Sequence, residues 1–167
     1  MFKRTSRNTI ILAALGGAIL IGIIWFARPS PSATDKSAAN DGDLTLSTQS
    51  FDFDTISMAA GSVKTAFTVQ NQQSLPVTIS RLYTSCMCTT ATLRKNGQDF
   101  GPFGMQGHGS IPKINQSIAP GEEATVEVVF DPTAHGPAGV GRINRVVFVE
   151  TSDGSPLEFK VSASVRP

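Results

Sequence analysis

The chain has 167 residues, of which 16% are Asp, Glu, Lys or Arg, and a formal net charge of +1. That charge is unevenly placed: Lys3, Arg4, Arg7 and Arg28 flank an apolar stretch, while from Pro29 onward 10 Lys and Arg face 13 Asp and Glu, a net of −3. The length allows one domain plus accessories, and the mildly acidic outer part has no basic face to argue for nucleic-acid binding.

Thr9–Ala27 is a run of 19 residues without a charge. As a helix it reaches roughly 28 Å, about the thickness of a bilayer core. It is longer than the apolar core of a cleaved signal peptide, and Pro31-Ser32-Ala33 is a poor cleavage site. The segment therefore reads as an uncleaved signal anchor, with Trp25 and Phe26 at the interface. Three basic residues before the span and one after place residues 1–8 in the cytoplasm. The rest of a single-pass inner-membrane protein then lies in the periplasm or outside the cell, where disulfides are permitted. Arg28–Asp43 is rich in Pro, Ser, Ala and Asp, with no large apolar residue. It reads as a flexible tether that cannot bury enough surface to offset its ordering entropy.

From Leu44 to Pro167 the pattern is that of strands. Phe51-Asp-Phe-Asp-Thr-Ile alternates, with Phe51, Phe53 and Thr55 on one face. Val63–Val69 alternates through Val63, Thr65, Phe67 and Val69, and Asn71–Ser74 is a turn. Leu75–Tyr83 offers Val77, Ile79 and the edge of Leu82. Ala124–Phe130 alternates through Val126, Val128 and Phe130, Arg142–Val149 is apolar-rich, and Leu157–Val165 holds Leu157, Phe159, Val161, Ala163 and Val165 in phase. Ser152–Ser155 is a hairpin-type turn. About seven short strands with no helical period predict an all-β, Ig-like antiparallel sandwich behind a single transmembrane helix. Arg94–Ser117 breaks the pattern with five glycines and two prolines, and reads as a long functional loop. Asp131–Gly141 is a second Gly/Pro-rich loop.

Phe51-Asp-Phe-Asp-Thr-Ile, Phe67-Thr-Val-Gln-Asn71, Leu75-Pro-Val-Thr-Ile, Thr84-Ser-Cys-Met-Cys-Thr89, Ile118-Ala-Pro-Gly121 and Val126-Glu-Val-Val-Phe-Asp131 follow one another. In this order they resemble the bacterial domain-of-unknown-function family numbered fifteen seventy-three, related to Hydin and major-sperm-protein type domains. The resemblance spans roughly Leu44 to Val165. It implies an extracytoplasmic β-sandwich and no established activity. The family usually carries Ser-Cys-Gly-Cys-Thr; here Met87 replaces the glycine, and a Gly/Met/His segment follows.

The chain's two cysteines, Cys86 and Cys88, are one residue apart. On a regular strand they would point to opposite sides, so they converge only if Met87 sits in a turn or bulge. Met105, His108 and His135 lie in the two Gly/Pro-rich loops. Thiolate and thioether sulfur favour Cu(I), and imidazole suits copper and zinc. Cys86, Cys88, Met105, His108 and His135 thus form a candidate soft-metal set, copper first and zinc second, with Met87 in reserve. Two other readings stand beside it. The cysteines can form a structural or redox disulfide if their Cα atoms fall within about 7 Å, or pack as small core residues. A non-catalytic scaffold, presenting Arg94–Ser117 to a protein partner, is the alternative function. No nucleophile triad, phosphate loop or dinucleotide fingerprint is present, so the chain reads as no enzyme. Asp52 and Asp54 read as a solvated face of an edge strand.

Overall fold

Strict alternation of buried valines and exposed polar residues makes strands whose inner faces must meet another sheet. A computed structural model describes residues 44–107, 111–152 and 156–167. Among these residues ten strands are present: β1 (Thr45–Leu46), β2 (Ser50–Ser57), β3 (Val63–Gln70), β4 (Val77–Thr84), β5 (Thr89–Lys95), β6 (Gln98–Phe103), β7 (Gln116–Ile118), β8 (Glu123–Phe130), β9 (Gly141–Thr151) and β10 (Leu157–Arg166). They form two five-stranded sheets, ordered β1-β3-β8-β5-β6 and β2-β10-β9-β4-β7. Pairing is antiparallel except between β10 and β2. The expected anchor Thr9–Ala27, the linker Arg28–Asp43, His108 and most of the Ser152–Ser155 turn lie outside the described residues.

The all-β sandwich is as expected, and the count of about seven strands is corrected to ten. The main correction falls on Arg94–Ser117. Asn96 and Gly97 have φ of 51° and 76°, the left-handed pair that a tight two-residue hairpin turn requires. They fold β6 back on β5, with Lys95 opposite Gln98. Gly101, at φ 130°, sits so close to β5 that a Cβ there would lie 2.9 Å from the Ala91 carbonyl oxygen. The supposed loop therefore opens with a hairpin and closes with β7 on β4.

The core joins Phe67, Val69, Leu93, Val126 and Val128 of one sheet to Ile79, Leu82, Val147, Val149, Phe159 and Val161 of the other. Phe67 stacks on Phe159 across the interface, ring centroids 4.6 Å apart. β8 and β10 bury the alternating residues the sequence pattern marks. β2 departs from its expected face. Asp54 has φ 58°, and the β10 register slips between Ser162 and Ser164 as it passes. This bulge moves the inward phase from Thr55 to Ile56, which packs toward the interior with Phe53, while Phe51 is 41% exposed. Asp52 pairs with Arg142 at 2.6 Å and accepts from the Asp54 amide at 2.9 Å, so both carboxylates belong to a solvated edge.

Each end of the sandwich is fixed by a different device. At one end the fully buried Asn71 donates to the Leu75 and Ile118 carbonyls, both at 2.8 Å, and accepts from the Gln73 amide at 2.9 Å. At the other end a second apolar cluster gathers Cys88, Phe130, Ile143, Ala163 and Val165, with Met58, Cys86 and Ala134 packed on it. The β2–β3, β4–β5 and β8–β9 connections meet at this second end.

Candidate metal centre

Cys86 and Cys88 sit in the turn between β4 and β5. The Thr89 amide donates to the Cys86 carbonyl at 3.1 Å, which closes the turn. The buried Thr84 hydroxyl bridges toward the Cys86 and Thr89 carbonyls at 3.0 and 2.8 Å. β9 grips the turn from outside: the Ser85 amide donates to the Val146 carbonyl at 2.8 Å, and the Val146 amide to Ser85 Oγ at 2.9 Å. Met87 therefore occupies a turn, as convergence of the two thiols demands. Its φ is not positive, so the turn holds it without left-handed backbone strain, and its side chain is exposed.

The β8–β9 connection brings the third group. Asp131 Oδ1 accepts from the Thr133 amide at 2.8 Å and from its hydroxyl at 2.7 Å. The Asp131 amide donates to the Cys88 carbonyl at 2.8 Å, tying this loop to the cysteine turn. A short 3₁₀ turn, Gly136–Gly139, follows directly. Gly139 packs against it so closely that a Cβ there would lie 3.2 Å from the Pro132 carbonyl oxygen. The result presents His135 Nε2 at 3.1 Å from Cys86 Sγ. The ligand atoms of Cys86, Cys88 and His135 all lie within 4.8 Å of one another. Metal bonds of 2.0–2.3 Å place such atoms about 3.5–3.8 Å apart, so small side-chain shifts would close the three donors on one ion.

Electrostatics divides the thiols. Burial pushes the Cys86 thiol up, but hydrogen bonds from the Cys88 thiol, His135 and the Cys88 amide, with the Arg145 charge, outweigh it and pull its pKa down to about 7. Burial and its donation to Cys86 raise the Cys88 thiol, against the hydrogen bond from Arg145. Arg145 donates from Nε to Cys88 Sγ at 3.1 Å and from a terminal nitrogen to the Asn144 carbonyl at 2.8 Å. The two sulfurs thus share one proton near neutrality, with the thiolate favoured on the more exposed Cys86.

Alkylation will read this directly. With iodoacetamide, Cys86 is expected to react first, with a rate that rises with pH through a midpoint near 7. Cys88 should lag and titrate higher. Tryptic cleavage after Arg81 and Arg94 yields one peptide whose fragment ions separate the two sites. Equal rates, or two midpoints in the ordinary thiol range, would remove the asymmetry.

The structure brings together three of the five residues expected from sequence: Cys86, Cys88 and His135. Met105 forms an isolated backbone bridge with Thr84, which places it beside the turn's first residue. His108 lies outside the described residues. Both cysteines are free thiols. Arg145 was missed; it is the second arginine of the apolar-rich Arg142–Val149 segment and carries no signal beyond that. Arg142 finds a carboxylate in Asp52, whereas Arg145 finds a sulfur 57 positions away.

Residues 44–102 match the family DUF1573, described as protein of unknown function. Over this segment the family resemblance drawn from the motifs holds; the segment includes both cysteines but neither the motifs from Ile118 onward nor His135 and Arg145. A search among curated proteins finds no match. Among solved structures, a protein of unknown function from Porphyromonas gingivalis W83 is similar at 17% identity and a TM-score of 0.54, over 80% of this chain and 51% of that one. The chain thus spans about half the length of that relative. The seventh PapD-like domain of human CEP192 is similar at 14% identity and a TM-score of 0.47, over 74% of this chain and 85% of that one. At 17% identity the likeness to the Porphyromonas gingivalis protein speaks to the sandwich fold alone.

Proposed function

We propose that this domain binds a soft metal ion, copper(I) before zinc, through Cys86, Cys88 and His135, and holds or delivers it outside the cytoplasmic membrane. The observation that carries the reading is the approach of two sulfurs and one imidazole nitrogen to within 4.8 Å of one another. Two thiolates and an imidazole suit Cu(I), and the β-bonded ends of two sheets hold them in place. The N-terminal apolar run supplies the tether. Met105, beside Thr84, and His108, three residues further on, are the natural supplementary donors. In the detergent-solubilised full chain, Cu(I) titrated against a chromophoric chelator should be withdrawn at one equivalent. The Cys86→Ser/Cys88→Ser double variant should withdraw none. Equal competition by both proteins would end the reading.

A second reading is favoured by the thiolate character of Cys86 beside the free Cys88. The pair could pass two electrons and two protons to a partner disulfide, closing Cys86–Cys88 and releasing two thiols. It predicts a reversible mass change of two hydrogens on oxidation and reduction. No such couple in protein isolated from an oxidising compartment would exclude it.

A further inference from the structure

Beyond the ligands, the unusual group at this end is Arg145. Its guanidinium is half-buried and lies against Cys88 Sγ at 3.1 Å. Of the neighbouring charges, Arg142 pairs with Asp52, and Asp131 Oδ1 accepts from the Thr133 amide and hydroxyl, neutral donors that leave its charge in place. A fixed cation beside a metal-ligating sulfur is costly unless the ligands leave negative charge for it to neutralise.

We propose that Arg145 makes this a site for monovalent soft cations, by cancelling the negative charge that two thiolates keep after binding one. The inference rests on the metal-binding reading above. Two thiolates and a neutral imidazole around a singly charged ion carry one net negative charge, and Arg145 brings the assembly to neutrality. Around a doubly charged ion the same ligands are already neutral, and Arg145 leaves one uncompensated positive charge. Its Nε–H also stays available to Cys88 sulfur once that sulfur is a metal-bound thiolate, since the sulfur keeps further lone pairs. Such outer hydrogen bonds orient ligating groups and tune their basicity.

Charge, not softness, is the selecting property, and the test separates them. Affinities of the full chain for Cu(I), Ag(I), Zn(II) and Cd(II) are measured by chelator competition, anaerobically for Cu(I). The wild type is compared with Arg145→Met and Arg145→Lys. Arg145→Met should weaken Cu(I) and Ag(I) by about tenfold to a hundredfold while leaving Zn(II) and Cd(II) unchanged or tighter. Cd(II) decides the point, being soft but divalent. Arg145→Lys, which keeps the charge and loses the planar fork, should recover most of the monovalent affinity. An equal loss for all four ions would make Arg145 merely structural and overturn the proposal, as would a loss that follows softness, with Cd(II) falling alongside Cu(I). A wild-type chain that binds none of the four would overturn the metal reading itself.

Discussion

Cys88→Ser is expected to reduce Cu(I) affinity by more than the roughly 10–100-fold that loss of an outer-sphere partner costs, whereas His135→Ala should cost less. The difference follows from position and charge. Cys88 is 2% exposed, packed in the apolar cluster at the end of the sandwich, and hydrogen-bonded by Arg145. Replacing its sulfur removes a charged soft ligand and leaves the guanidinium facing a hydroxyl. His135 is exposed on the β8–β9 connection, contributes no charge, and its loss leaves a two-thiolate site that Cu(I) still accepts. Zinc behaves otherwise. It favours a tetrahedron of four donors, of which water can supply an open one, so His135→Ala should weaken Zn(II) at least as much as Cu(I). Chelator competition on the two single variants with both ions gives four numbers. A His135→Ala loss for Cu(I) as large as that of Cys88→Ser would show that the site is not dominated by the thiolate pair. A Cu(I) affinity untouched by Cys88→Ser would remove Cys88 from the ligand set.

That site was legible in part because its chemistry is carried by rare residue types. Two cysteines one position apart in a chain with no others can be noticed without a fold. The requirement that Met87 sit in a turn is a statement about backbone geometry, and the turn between β4 and β5 meets it. His135 could be nominated by composition, but its 3.1 Å approach to Cys86 depends on an Asp131–Thr133 turn and a 3₁₀ turn 49 positions along the chain. Arg145 carried no local signal, because an arginine in a strand reads as a solvated edge until the fold brings a sulfur to it. The strands divide likewise. β8 and β10 are read from alternation because both lie inside a sheet with one face buried. β6 hides its period behind Pro102, Gly101 and an edge position, where half of each pleat faces solvent. β5 alternates buried Thr89, Ala91 and Leu93 with half-buried Thr90 and Thr92, but threonine on both faces gives it little hydropathy contrast to read.

The second large effect concerns the two phenylalanines on which reading and structure part most clearly. Phe159→Ala is expected to destabilise the domain by about 3–5 kcal/mol, and Phe51→Ala by less than about 1 kcal/mol. Both residues occupy apolar positions of alternating strands, and alternation alone ranks them equally. Phe159 is fully buried and stacks on Phe67 of the facing sheet, rings 4.6 Å apart and inclined by 27°. Removing it opens a cavity between two hydrogen-bonded sheets that cannot close without shearing the β9–β10 and β3–β8 ladders, so the cavity term adds to the lost burial. Phe51 lies on β2 just ahead of the Asp54 bulge, is 41% exposed, and touches Phe53 edge-on at 4.9 Å. Its loss empties no space inside the sandwich. Urea and thermal unfolding followed by circular dichroism measure both, with Phe159→Ala lowering the thermal midpoint by about 10–20 °C. Similar costs for the two variants would place Phe51 in the core, against its exposure here. A small cost for Phe159→Ala would mean that the two sheets do not depend on the Phe67 contact for their packing, and that the Val126, Val128, Val147 and Val161 layer holds them without it.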